Sequence, residues 1–479
     1  MAREFAIGFK TLNDEITVDE LPIEGTIPPW LEGTLVRNGP AKFEFGKRRY
    51  NTWLDGMAML NKFSFNGGTV SYANKYIQSN TLKENSKADA IKVAEFATDP
   101  CRNIFQRVHS MFFPKFTDNT SVNIANIADK FVAMTETSIP IEFDTETMAT
   151  LAHMDYTGKV KGQLTTAHPQ YDFEQNEIYN YTTNMFVVSH YNIYRLPQGA
   201  KERILVSSIP VLEPSYMHSF GMTDNYIILA EFPLVVYPAV LLIGFSLLDR
   251  PFIENYSWRP QKGTNFHVVR KSDGKVVGKY NTDPFFAFHH INAFEIGDNI
   301  VLDISAFEDN RIIQELFLDR LCGEEPDVLS WAEFRRYHIP LHGGKVSYES
   351  ISNQTIELPR INYRHYNAKP YNHAYGISYM KNRPGDWYNQ LVKINIEQKE
   401  ALVWHEAHCY PGEPVFVPTP DATREDDGVI LSVVLNAQES LSFLLVLDAQ
   451  TFTELGRATV PLALPFGFHG QFLPLITPP

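Results

Sequence analysis

Four of the fifteen histidines in this chain share a local setting. His168 lies in TTAHPQYD, His218 in EPSYMHSFGMTDNYIILAEFPL, His289 in FFAFHHINAFE and His469 in LPFGFHGQF. Each sits among aromatic or small residues beside a strand-like run. Histidine is the commonest protein ligand for metals, through a neutral ring nitrogen. Any one of the four, taken alone, reads more readily as a satisfied core or loop residue. They are separated by 50, 71 and 180 positions, so spacing does not single them out as a set. A shared metal would require distant segments to converge. Other familiar chemistry is missing or weak. The sequence holds no phosphate-binding loop, no dinucleotide fingerprint and no GxSxG elbow. HEAH, from His405 to His408, places its histidines three apart rather than four and abuts Pro411 and Gly412, so it reads as a turn. Cys409, beside His408, reads as a structural neighbour rather than a nucleophile.

The elements that must position such residues are strands. Short β-type runs recur, as at 226–232, 299–307 and 428–435, divided by Gly, Pro, Asn and Asp. One hairpin style repeats in IEFDTETMATL, VVRKSDGKVVGKY, INIEQKEALVW and LVLDAQTFTELGRATV, with turns near Asp144, Asp273, Gln398 and Asp448. The turns are 129, 125 and 50 residues apart. The last spacing fits one propeller blade of about 40–50 residues, and the others two or more blades each. A string of β-sandwiches would give similar hairpins. Helical periodicity is rare; its best stretch is 310–321, with Ile312, Ile313, Leu316 and Phe317 at helical spacing. No Pro- or Ser-rich linker divides the chain. The reading is all-β, one β-propeller domain over residues 1–479 with long loops on one face. In a propeller the inner strands of separate blades meet at the axis, which is where distant histidines can gather.

Composition narrows the function. Hydrophobic residues at 44% and charged residues at 20% describe a globular chain. Lys and Arg number 42 against 56 Asp and Glu, a net charge of −14, which argues against a nucleic-acid partner. Three scattered cysteines (Cys101, Cys322, Cys409) fit a reducing compartment better than a disulfide framework. The N-terminal MAREFAIGFKTLNDE is read as lacking a secretory leader, so the expected location is cytoplasmic. Aromatics at 13% favour strands and large apolar cavities. Residues 232–248, FPLVVYPAVLLIGFSLL, carry no charge, yet Pro233, Pro238 and Gly244 interrupt them. They are too short to span a bilayer, which takes about 20 apolar residues. Two readings stand: a buried loop or strand, or a surface patch that dips into lipid and makes the protein peripheral to a membrane.

Nearly the whole chain resembles the carotenoid cleavage oxygenase family. The resemblance runs through the four histidine segments, IPPWLEGTLVRNGP and NTWLDGMAMLNKF near the start, FTDNTSVNI and TETSIPIEFDTET in the middle, and IELPRINYRHYN, CYPGEPVFVPTPDATREDDGVILSVV and LVLDAQTFTELGRATV toward the end. Within the family it is most similar to the branch of animal β-carotene oxygenases and the retinoid isomerase of the eye. The resemblance implies a seven-bladed propeller whose loops and short helices cap the iron face. It implies Fe(2+) on the axis, held by His168, His218, His289 and His469. The H-x-x-N pattern, completed by Asn292, selects His289 over His290. Three glutamates would orient the ring N–H groups: Glu136 for His218, Glu357 for His289 and Glu413 for His469. Each could instead be a surface or turn residue.

The chemistry so implied is oxygenation of a conjugated polyene. Four neutral imidazoles suit ferrous iron and leave room for dioxygen. No acid–base residue is required beyond the iron site; the protein positions the substrate in an apolar channel. The expected activity is cleavage of one C=C bond of a carotenoid or apocarotenoid to aldehydes, with the central 15,15′ bond giving retinal. The alternatives are eccentric (9,10) cleavage, stilbene cleavage, retinoid isomerisation without dioxygen, or a non-catalytic carotenoid-binding propeller. Channel candidates are Phe105, Phe112, Phe113, Phe288 and Tyr363, with Val122 near the open iron position. Each of these aromatics is of a type more often found in a core than against a substrate.

Overall fold

The computed structural model describes residues 3–100, 115–185, 188–246, 250–323, 329–380 and 385–475. Among them the β-branched and aromatic runs form antiparallel strands gathered into the sheets of a seven-bladed β-propeller. The fifth blade shows the pattern plainly. His290–Ile296, Asn299–Ala306, Glu333–Pro340 and Ser347–Thr355 pair in chain order from the axis outward. Asn299–Ala306 is buried almost throughout, because its sheet is packed against a neighbour on both faces, while Ser347–Thr355 is largely exposed at the rim.

The repeated hairpins are blade rims. The turn at Asp144 joins Ile141–Phe143 to Thr150–His153, that at Asp273 joins Thr264–Arg270 to Val276–Thr282, that at Gln398 joins Gln390–Asn395 to Glu400–Trp404, and that at Asp448 joins Leu441–Asp448 to Glu454–Val460. They belong to the second, fourth, sixth and seventh blades, so the two long spacings each span two blades and the short one spans one. Asp144 and Asp448 close their turns alike, each Oδ1 accepting from the backbone N–H groups two and three residues on.

Both ends of the chain close the ring. Gly470–Pro474 pairs with Gly33–Lys42 as the innermost strand of the first blade, and Ile23–Gly25 pairs with Glu454–Val460 at the rim of the last. The first and last blades are thereby tied together. Helices are few and short. The helix expected over 310–321 is two, Arg311–Glu315 and Leu318–Leu321, because Phe317 between them is extended. That break lets Phe317 bridge Thr52 and lets the Leu318 N–H donate to the Asn51 carbonyl. The residues Trp53–Asp55, Pro238–Ser246 and Arg311–Glu315 cap the face onto which the histidines open.

The unbroken apolar stretch divides in two. Phe232, Leu234, Val235 and Val236 are buried, while the following helix Pro238–Ser246 leaves Val240 and Ile243 exposed, with Tyr237 beside them. Among the described residues no helix is long and apolar enough to cross a membrane.

Candidate metal centre

The four histidines sit at one end of four inner strands. His218 precedes Gly221–Met222, His289 precedes His290–Ile296, His469 precedes Gly470–Pro474, and His168 separates Leu164–Thr165 from Gln170–Asp172. They come from the fourth, fifth, first and third blades. The glutamates come from the other three: Glu136 after Lys130–Met134 of the second, Glu357 opening Glu357–Arg360 of the sixth, and Glu413 between Cys409–Pro411 and Val415–Pro418 of the seventh. Every blade contributes one group.

The donor nitrogens all lie within 4.8 Å of one another. His218 Nδ1 donates to Glu136 Oε1 at 2.6 Å, His289 Nδ1 to Glu357 Oε2 at 2.6 Å, and His469 Nδ1 to Glu413 Oε1 at 2.7 Å. A carboxylate can only accept, so each bond fixes the proton on Nδ1 and turns the Nε2 lone pair inward. Nε2 of His168 then lies 3.0 Å from Nε2 of His218, and Nε2 of His289 lies 3.2 Å from Nε2 of His469. Lone pairs that close repel unless a cation lies between them. Two imidazoles bound at right angles to one ion, each about 2.1 Å away, have nitrogens about 3 Å apart. The donor set therefore fits a divalent metal.

Electrostatics agree. Burial, together with the three neighbouring imidazoles, holds His168 well below the ordinary histidine value, so it offers a neutral nitrogen. Burial likewise keeps His469 low despite the opposing pull of Glu413. Burial alone would raise Glu413; Arg360, His469 and Arg37 overcome it and bring the carboxyl down to about 2. Arg37 forms an ion pair with Glu413 and donates to the Phe468 carbonyl at 2.8 Å, while Arg360 Nε stands 3.5 Å from Glu413. Tyr216 OH donates to Glu136 at 2.8 Å. Trp53 packs on Phe468 (centroids 4.4 Å apart) and on Trp387 (5.2 Å), which walls the centre on the His469 side.

The centre opens into a cavity of about 830 Å³. His218, His289 and His469 line it; His168 does not. Val122 and Phe288 line it too, and the Val122 carbonyl accepts from the His469 N–H at 3.3 Å. Tyr363 does not line it, against expectation. It opens the short helix Tyr363–Tyr366 beyond His168, where its hydroxyl donates to Gln170 at 2.9 Å and accepts from the Tyr171 N–H. Its polar end is committed there. Phe105, Phe112 and Phe113 lie outside the described residues. His290 turns away, with Nδ1 2.8 Å from Ser219 Oγ. Asn292 clamps residues 366–369 through its side chain rather than touching the cluster. HEAH holds no site: His405 bonds the Asn389 carbonyl and His408 bonds Glu4. Burial and Glu406 push the Cys409 thiol up to about 12, which makes it inert.

Comparison with known proteins agrees with this geometry. The family model described as RPE65, retinal pigment epithelial membrane protein, matches residues 9–474. The chain belongs to this family of carotenoid oxygenases. It is 38% identical to a protein of Mustela putorius furo named carotenoid-cleaving dioxygenase, mitochondrial, over 95% of both chains. It is 36% identical to the β,β-carotene 15,15′-dioxygenase of Gallus gallus, over 94% of this chain and 95% of that one. In fold it matches a solved apocarotenoid oxygenase of Synechocystis with a TM-score of 0.87 at 23% identity, covering 98% of both chains. Family membership and the four-histidine cluster together make this a metal protein. What the histidine reading left out are the two guanidinia behind Glu413 and the hydroxyl behind Glu136. Arg37 and Arg360 stand inside the segments LVRNGP and IELPRIN that carry the resemblance, so a signal for them was present.

Proposed function

We propose that this protein is a ferrous-iron dioxygenase that cleaves one C=C bond of a carotenoid or apocarotenoid, the central 15,15′ bond, to give retinal. One observation carries the reading: four histidine nitrogen donors converge on one point, and three of the four rings line a large, mainly apolar cavity. We assign His168, His218, His289 and His469 as the iron ligands, with Glu136, Glu357 and Glu413 holding three of the rings. Imidazole suits iron, and no thiolate lies among the clustered donors to favour a softer metal. The names of the mammalian and avian relatives support the reaction and the bond.

Iron bound there supplies the route by which triplet dioxygen reacts with a closed-shell alkene. The chain's own residues do the rest. Glu136, Glu357 and Glu413 keep the Nδ1 protons in place, so the rings cannot rotate out of register. Phe288, whose ring centroid is 5.5 Å from that of His218, and Val122 present apolar surface to the polyene beside the centre. Phe307, Ile312 and Leu316 continue that surface. Packing would thus set which double bond reaches the metal site, and proximity would supply much of the rate.

Expression in carotenoid-accumulating cells, followed by chromatography of the aldehydes, tests the assignment. Retinal is the expected product. Longer apocarotenals alone would move the bond, and isotopic oxygen missing from the products would replace the oxygenase by an isomerase. We place the protein in the cytoplasm with Tyr237, Val240 and Ile243, exposed beside the cavity mouth, resting on a membrane that holds the substrate. The unpaired thiols of Cys322 and Cys409 suit that compartment. Flotation with neutral vesicles, lost in Val240→Asp/Ile243→Asp, checks the contact.

A further inference from the structure

Not all of the cavity suits a hydrocarbon. Glu95, Thr117, Asn119, Thr137 and Gln163 also line it. Most of these groups are already committed. Asn119 donates to the Gly56 carbonyl and accepts from the Ala58 N–H; Thr137 Oγ1 donates to the Thr117 carbonyl; Gln163 accepts from the Met185 N–H. Glu95 is different. It is 6% exposed, and Thr117 Oγ1 donates to its Oε1 at 2.7 Å. No hydrogen bond among the described residues reaches Oε2, and no described cation pairs with the carboxyl. Burial, with Asp55 and then Asp118 adding to it, pushes Glu95 well above the usual carboxylate range, which favours the protonated form. A protonated carboxyl both donates and accepts.

We infer that Glu95 is a specificity-determining residue: its uncommitted oxygen hydrogen-bonds an oxygen at one end of the substrate, so a polyene bearing a terminal hydroxyl or carbonyl is preferred to the hydrocarbon of the same skeleton. This rests on the assignment of the cavity as the polyene site. A hydrocarbon end laid across Glu95 leaves the second oxygen of a buried carboxyl unpaired, whereas an oxygenated end satisfies it. Sites built to bond a substrate hydroxyl discriminate strongly against analogues that lack it, while purely apolar pockets do not.

The test compares a dihydroxylated carotenoid with its hydrocarbon parent, on iron-loaded wild type, Glu95→Leu and Glu95→Gln. Steady-state cleavage is measured in matched micelles, and binding is measured without oxygen by quenching of tryptophan fluorescence, since Trp53 lines the cavity. Wild type should bind and cleave the hydroxylated substrate at least about tenfold better in kcat/KM. Glu95→Leu should erase that preference, raising KM for the hydroxylated substrate and lowering it for the hydrocarbon, which no longer covers an unpaired oxygen. Glu95→Gln, which keeps a donor and an acceptor, should retain most of it. Equal use of both substrates by wild type, or an equal loss on both in Glu95→Leu, overturns the inference while leaving the cleavage assignment intact. Selective binding of the hydroxylated polyene with cleavage of neither overturns the cleavage assignment and leaves Glu95 in place. If Glu95→Leu does not fold, wild-type preference and Glu95→Gln decide.

Discussion

Glu413 and Asp55 are both 0% exposed, and their surroundings shift their carboxyls in opposite directions. At the axis, Arg360, His469 and Arg37 outweigh the cost of burying Glu413 and bring it down to about 2. Under the cap, the donors that Asp55 meets among the described residues are neutral, the Thr98 hydroxyl and the Ala97 and Phe96 N–H groups, and burial pushes it up to about 7. Glu95, close to Asp55, follows the same rule. Burial does not set the charge of a carboxyl; the partners buried with it do. The propeller uses both outcomes. Around the histidines it needs fixed anions that hold N–H groups, and along the cavity a neutral acid spares the cost of an unpaired charge.

The contrast can be broken by mutation. Removing a donor comes first. His218→Ala should abolish metal retention and turnover, with the fold kept by circular dichroism; metal analysis checks it, and full activity would take His218 out of the donor set. Next, Glu413→Gln should strand Arg37 and Arg360 without their anion, a cost of about 3–5 kcal/mol of stability. It should also weaken metal binding by roughly 10–100-fold, measured by thermal melting and chelator competition. Asp55→Asn strands no charge and should cost far less.

Asp55 also gives a pH signature. Its folded value of about 7 lies above its ordinary 3.8. Its contribution is therefore complete below pH 3.8 and lost as pH rises through about 7. The stability of wild type relative to Asp55→Asn should fall across that window, by at most about 1.4 kcal/mol per pH unit, and level off above it. Denaturant midpoints at pH 5, 6, 7 and 8 measure this, and a flat difference would mean that Asp55 stays ionised. The smallest effect belongs to Tyr216→Phe, which removes one hydrogen bond to Glu136 and leaves its bond to His218. Metal affinity should drop about fivefold, the worth of roughly 1 kcal/mol.

These regions were unequally legible in the sequence. The histidines and the glutamates that hold them stand in segments whose flanking residues mark them, and the structure brings all seven to one place. The cavity wall did not stand out. Phe288 and Val122 line it, but Tyr363, with the same aromatic character, packs beyond His168. A side chain's type does not say whether it faces a cavity or a core, since both favour apolar groups. The helix over 310–321 failed for a related reason: its periodicity was real, but the bridge between Thr52 and Phe317 outweighed one turn of helical propensity.

The sequence by itself determined the period-two strands, the Asx turns at the blade rims and the residue types that bind metal, because these depend on neighbours within a few positions. Only the tertiary structure decided that Arg37 meets Glu413 across 376 residues and that the hydroxyl of Tyr216 reaches Glu136. Among the described residues, it alone also left the Glu95 Oε2 without a partner. Those facts depend on where the ring closes, and closure brings together groups whose separation along the chain carries no information about their distance in space.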